Sequence, residues 1–164
     1  VIIGCTKDEM NLFGYFIEDL PLSSRIWDYH SMLWRANGVN KPASEMTANS
    51  NVPVYVYRFD WGSPDNKGVS VLTRNKGQEL GAHHGAELPF FLGTSGSDFA
   101  LLIGKTHIKD NQIGREKLKD LCMNYLANFA RVGNLKILTY QIGLLGTTLK
   151  GKTRFLSLMQ ISTI

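Results

Sequence analysis

The chain opens on Val1-Ile2-Ile3-Gly4-Cys5, a short apolar run, and that pattern is the one shown by a strand buried on both faces, as in a parallel sheet. Val1-Ile2-Ile3 reads as a strand already under way, with no basic start or cleavage site of a secretory signal before it, so the expectation is that the domain's beginning lies upstream. Thr6-Lys7-Asp8-Glu9 then leaves the strand as a turn, at the carboxyl end where open α/β sheets place their ligands.

The second strand is Val54-Tyr55-Val56-Tyr57-Arg58-Phe59, rich in β-branched and aromatic residues and closed by the turn residues Gly62-Ser63-Pro64-Asp65-Asn66. Between the two strands, Ser23 or Ser24 caps a helix expected over Arg25 to Arg35, with Ile26, Tyr29, Leu33 and His30 on one face and Asn37-Gly38 as its stop. Asn40 to Val52, polar and holding Pro42, is expected to be a loop. A long irregular stretch leads to Gly81-Ala82-His83-His84-Gly85-Ala86-Glu87-Leu88-Pro89-Phe90-Phe91, and connections of that length are usually functional. The clearest helix spans Arg115 to Arg131, where Leu118, Leu121, Cys122, Tyr125, Leu126 and Phe129 recur at helical spacing and Gly133 supplies the stop. Its apolar face is expected to pack on the sheet.

Of the 164 residues, 43% are apolar and 20% charged, which is a globular composition rather than a disordered one. No apolar run approaches the roughly 20 residues that cross a bilayer, so no membrane span is expected. The net charge of +4 would suit nucleic acid, but its distribution argues against that partner. Residues 1–134 hold 14 basic and 14 acidic side chains, and the whole excess (Lys136, Lys150, Lys152, Arg154) falls in residues 135–164. No basic stripe with aromatic interleaving accompanies it. Cys5 and Cys122 lack metal-ligand spacing and are read as buried thiols.

Four segments together resemble the type-B carboxylesterase and cholinesterase-like family. Ile3-Gly4-Cys5-Thr6-Lys7-Asp8-Glu9 is similar to the strand and loop that carry the acid of that family's triad. Tyr57-Arg58-Phe59-Asp60-Trp61 is similar to the strand end before the histidine loop, and Gly81 to Phe90 resembles its His-Gly-x-Glu segment. Asn124 to Asn134 resembles its last helix. The resemblance covers residues 1–134 and implies the C-terminal portion of an α/β-hydrolase fold, a mostly parallel sheet with flanking helices. It implies a hydrolase of small carboxylic esters, without cofactor. By position Glu9 is the acid, Asp8 its neighbour, His84 the base, and Glu87 a buried carboxylate behind the pair. Such a pair makes chemical sense: a serine hydroxyl is a weak nucleophile unless an imidazole takes its proton, and a buried carboxylate on the other ring nitrogen fixes the tautomer. The order acid then histidine also matches this fold.

The nucleophile is missing. No Gly-x-Ser-x-Gly occurs in the sequence, and Gly93-Thr94-Ser95-Gly96-Ser97 is out of register and follows the histidine. The glycine-rich oxyanion segment is absent too. His83, His30 and His107 are read as ordinary histidines, and Trp27, Trp34 and Phe90 as core or pocket wall. A metal site built from His83 or His84 with Glu87 lacks a third ligand at a recognisable spacing. The interval from Glu9 to His84 is shorter than usual in the family, at the place where substrate-pocket helices sit. Two other readings keep the fold: a cholinesterase-like binding or adhesion protein, and an inactive truncated gene product.

After Asn134 the resemblance stops and acidic residues vanish, although about one residue in eight is acidic in ordinary chains. Residues 135–146 have a synonymous coding that, shifted by one base, reads PKDSDLPNWTPW, similar to the family's Trp-Pro segment. The expectation is therefore that residues 135–164 are an out-of-frame tail, without selected packing and without functional residues.

Overall fold

A computed structural model of the chain describes residues 1–17, 25–72, 79–94 and 108–133, and the backbone of three further strands at 145–149, 152–156 and 159–163. The first strand, β1 (Ile2–Thr6), lies parallel to β2 (Tyr55–Phe59), in a register that sets Ile2 against Tyr55, Gly4 against Tyr57 and Thr6 against Phe59. The short helices α1 (Asn11–Tyr15), α2 (Arg25–Arg35) and α3 (Lys41–Asn49) fall between the two strands in sequence. Along β2 the residues alternate, so that Tyr55, Tyr57 and Phe59 share one face. That face carries the core. Phe59 packs with Trp61, Val71, Leu72, Ala82 and Phe90, and with Leu118 and Cys122 of the long helix, while Tyr55 packs with Tyr125. Gly4 is required by this register, because a Cβ there would run into the ring of Tyr57. The fold is mixed α/β, with α4 (Leu88–Leu92) and α5 (Gln112–Val132) against one face of the sheet.

The expected long helix begins one turn early, at Gln112, after a 3₁₀ turn over Lys109–Asn111. It stops where expected: Gly133 adopts φ 67° and its N–H donates to the carbonyl of Phe129 at 2.8 Å. Leu118, Cys122 and Tyr125 are buried, and Leu121 and Phe129 pack beside them. Leu126 is exposed instead of joining this face.

Two expectations between the strands are corrected. On α2 the buried side chains are Trp27 and Ser31, whereas Ile26, Tyr29, His30 and Leu33 face outward. The reason is what α2 packs on: the indole of Trp27 covers the Cα of Gly14, and Ser31 Oγ accepts the N–H of Met10 at 3.0 Å. A stripe holding a hydroxyl is preferred to a more apolar one because it satisfies backbone in the loop after β1. Asn37-Gly38 does not end the helix either. A π-helical turn, Ala36–Asn40, carries the chain into α3, in place of the loop expected over Asn40 to Val52. Pro42 is the second residue of α3, directly after the π-helical turn, and its fixed φ suits the helical backbone there. The polar side chains bond back to their own helix, Thr47 to the carbonyl of Ala43 and Asn49 to that of Glu45, each at 2.8 Å. Val39 and Ala43, four apart, supply the buried side. Ser23 and Ser24 lie outside the described residues.

After Asn134 the described backbone holds three strands: β3 (Leu145–Leu149) and β4 (Lys152–Leu156) pair as antiparallel neighbours, and β5 (Met159–Thr163) pairs antiparallel with β2. β2 is thereby the central strand of the order β1-β2-β5, and such pairing is made by main-chain groups, which a strand of almost any sequence can supply. Among the described residues, no helix is long and apolar enough to cross a membrane.

Both cysteines are buried free thiols. Burial, with the charge of Glu9 adding to it, pushes Cys5 up to about 11, and burial pushes Cys122 up to about 12. Both lie above the ordinary thiol value of 9.0, so the folded chain retains protons that the unfolded chain releases. Their stabilising contribution is therefore complete below that value and lost as pH rises through the folded values. Near pH 8 a thiol-specific disulfide reagent should leave both cysteines untouched in the native chain and titrate both in urea. Rapid native labelling of either would show that its strand or helix is not packed as described.

Candidate active site

The candidate residues meet at the carboxyl ends of β1 and β2. Beyond Thr6 the parallel ladder gains one more bond, from Lys7 N–H to the carbonyl of Phe59 at 2.9 Å, and the chain then turns through Asp8, Glu9 and Met10. Two backbone bonds tie this acid loop to the histidine loop: Asp8 N–H donates to the carbonyl of Ala82 at 3.0 Å, and His84 N–H to the carbonyl of Glu9 at 3.1 Å. Asp8 adds side-chain bonds. Its Oδ2 accepts the N–H of Ala82 at 2.9 Å and the hydroxyl of Ser63, so one carboxylate holds three loops. Burial raises the Asp8 carboxyl above its ordinary range, against the opposing pull of the Ser63 and Ala82 hydrogen bonds.

Glu9 is 4% exposed, and both of its oxygens are engaged. Oε2 accepts the N–H and the hydroxyl of Thr6, each at 2.7 Å, and Oε1 is hydrogen-bonded to Nδ1 of His84. A carboxylate facing Nδ1 assigns the ring proton to that nitrogen and leaves the Nε2 lone pair for chemistry. The His84 side chain is 44% exposed while that of Glu9 is 5% exposed, so the accessible part of the pair is the imidazole. Phe13 of α1 and Trp34 of α2 flank it, with ring centroids 5.5 and 5.9 Å from the imidazole.

His83 turns the other way. Its Nδ1 donates to the carbonyl of His84 at 2.9 Å, and burial lowers its pKa, so it is a neutral core histidine. His30 sits exposed on α2 beside Tyr29. His107, and Ser95 to Ser97, lie outside the described residues, while Gly93 of the same glycine-rich run ends α4 in the left-handed region. Glu87 stands at the start of α4. Its Oε2 is buried and accepts no hydrogen bond among the described residues. Burial, and then the like charge of Glu9, push its pKa up, against the pull of its own N–H and of His84. Trp27 and Phe90 are core, and Trp34 forms part of the wall beside His84. Among the described residues no cluster of His, Cys, Asp and Glu is suited to hold a metal ion.

Thr6, Ser63 and Phe13 have parts in this site that the sequence reading did not give them. Thr6 carried a signal, a hydroxyl residue three positions before a turn carboxylate. Ser63 and Phe13 carried none, because their partners lie 55 and 71 positions away in the chain.

Comparison with protein-family models, with curated proteins and with solved structures gives no match for this chain.

The bridge from Asp8 to Ala82 can be tested through two glycines. Gly81 adopts φ +59°, and a Cβ on it would overlap Oδ2 of Asp8, whereas Gly68 adopts φ +72° with nothing near its Cβ position. Gly68→Ala should cost the left-handed penalty of about 1–2 kcal/mol. Gly81→Ala should cost that plus the disrupted buried hydrogen bonds, about 3–5 kcal/mol in all. Urea unfolding of the two variants compares them, and equal losses would remove Asp8 from its place between the loops.

Proposed function

We propose that this chain carries the acid and the base of a serine carboxylic-ester hydrolase and forms the C-terminal portion of an α/β-hydrolase fold. The observation that carries the proposal is the bond between the buried carboxylate of Glu9 and Nδ1 of the half-exposed His84. Supporting it are the position of both loops at the carboxyl ends of parallel strands and the chain order of acid before histidine. In this reading His84 Nε2 takes the proton of a serine hydroxyl as it attacks the ester carbonyl, then returns it to the leaving alcohol. Glu9 keeps the ring in the Nδ1–H tautomer and stabilises the imidazolium that forms. Phe13 and Trp34 offer apolar walls for a small ester.

The serine would come from a Gly-x-Ser-x-Gly segment, and none occurs in these 164 residues. That observation favours a second reading, an inactive product of an esterase gene. A cholinesterase-like binding protein fits less well, since binding alone does not call for a carboxylate buried against a histidine. Residues 135–164 are proposed to be an out-of-frame reading of the family's C-terminus.

The coding DNA separates these readings. The hydrolase predicts an in-frame Gly-x-Ser-x-Gly codon run before the Val1 codon, and the out-of-frame tail predicts PKDSDLPNWTPW in a shifted frame after Asn134. Expressed with the upstream segment, the chain should hydrolyse p-nitrophenyl butyrate and be labelled by a fluorophosphonate. Glu9→Gln should then lower kcat by about 10⁴, and His84→Ala by on the order of 10⁵ or more. Hydrolysis that survives His84→Ala would sink the assignment, and an open reading frame without the serine motif would favour the inactive product.

A further inference from the structure

Without a Gly-x-Ser-x-Gly nucleophile, the same pair has the makings of a different catalyst. Oε2 of Glu9 is held by both donors of Thr6, so Oε1 has one orientation and fixes the imidazole through Nδ1. Glu9 engages the Nδ1 side of the ring, among the described residues no side chain is bonded to Nε2, and the His84 side chain is 44% exposed against 5% for Glu9. The flanking rings of Phe13 and Trp34, 40% and 44% exposed, leave aromatic surface on which a planar aryl group can stack. A neutral imidazole with a free Nε2 lone pair is a nucleophile toward acyl groups that bear a good leaving group.

We propose that in this chain the Glu9–His84 pair is itself an acyl-transfer site for activated aryl esters, with His84 Nε2 as the nucleophile; this rests on the reading of Glu9 and His84 as a working acid–base pair. Nε2 bonds to the acyl carbon, the bond from that carbon to the aryl oxygen breaks, and the aryloxide leaves with the electron pair. The ring keeps its Nδ1 proton against Glu9 and is left as an N-acylimidazolium, held beside the carboxylate that balances its charge. Water then adds to the acyl carbon and the carbon–nitrogen bond breaks. The products are the carboxylic acid, the aryloxide, one proton released to solvent and the original neutral imidazole. No other reactant is needed. Alkyl esters, whose alkoxides are poor leaving groups, are not substrates for this route.

The test uses the 164-residue chain near neutral pH with p-nitrophenyl acetate, and p-nitrophenyl trimethylacetate to slow the second step. Nitrophenolate release should have a second-order rate constant on the order of tenfold above that of 4-methylimidazole at equal concentration. With the trimethylacetate, the ultraviolet band of an acylimidazole should rise with the nitrophenolate. His84→Gln should remove both signals, and Glu9→Gln, checked for folding by its urea midpoint, should lower the rate several-fold. A rate no greater than that of 4-methylimidazole, an unchanged His84→Gln rate, or a stable adduct on a lysine or hydroxyl would overturn the proposal. If the serine-bearing extended chain is an active esterase while this chain is no better than 4-methylimidazole, only the nucleophile proposal falls. If His84→Ala leaves the extended enzyme active as well, the acid–base reading falls with it.

Discussion

A carboxylate withdrawn from water loses hydration worth several kcal/mol and must recover it from donors inside the protein. Glu9 meets that demand with three: the N–H and hydroxyl of Thr6 and the ring N–H of His84. Each hydrogen bond to a charged group contributes about 1.5–3 kcal/mol, so losing any one leaves a buried charge short. Two donors come from the last residue of β1 and the third from a loop 75 positions away. The end of the strand, the acid turn and the histidine loop are therefore one constraint, and the imidazole has little freedom to turn.

The register of the sheet sets where that constraint falls. Gly4 leaves room for the Tyr57 ring, which fixes β1 against β2 so that Thr6 lies opposite Phe59. Phe59 is fully buried among Trp61, Ala82 and Phe90, and Ala82 is the residue whose N–H and carbonyl both bond to Asp8. The core and the site share that residue. Shifting β1 by one place would turn its side chains to the other face and separate Thr6 from Glu9's partners. Asp8 and Glu9 divide the work: the first anchors the loop through backbone and the Ser63 hydroxyl, and the second orients the imidazole.

Features with a local cause were legible in the sequence. The β-branched run of β2, the turn after Thr6, the periodicity of α5 and its Gly133 stop follow from neighbouring residues, and the structure places them within a turn of expectation. The burial of Trp27 and Ser31 in place of Ile26 and Leu33 was not legible, since it depends on what α2 meets after folding. Pro42 misled for a related reason: a proline reads as a break unless it is known to sit in a helix's first turn. The pairing of Glu9 with His84 was suggested by family resemblance alone, and nothing in the spacing of two residues 75 apart would have joined them.

The ionisable groups around the pair determine which nucleophile the site can offer. Cys5, one residue before Thr6, is intrinsically the better nucleophile as a thiolate. Burial and the charge of Glu9 push it up to about 11, so near neutral pH it remains a thiol. Tyr57 is raised by burial and by the nearby charge of Glu87, and His83 is lowered and turned inward. The carboxylate that orients His84 therefore also suppresses the thiol behind it. Within the pair's surroundings, acyl chemistry is left to the half-exposed imidazole of His84, directly at Nε2 or through a serine delivered to it.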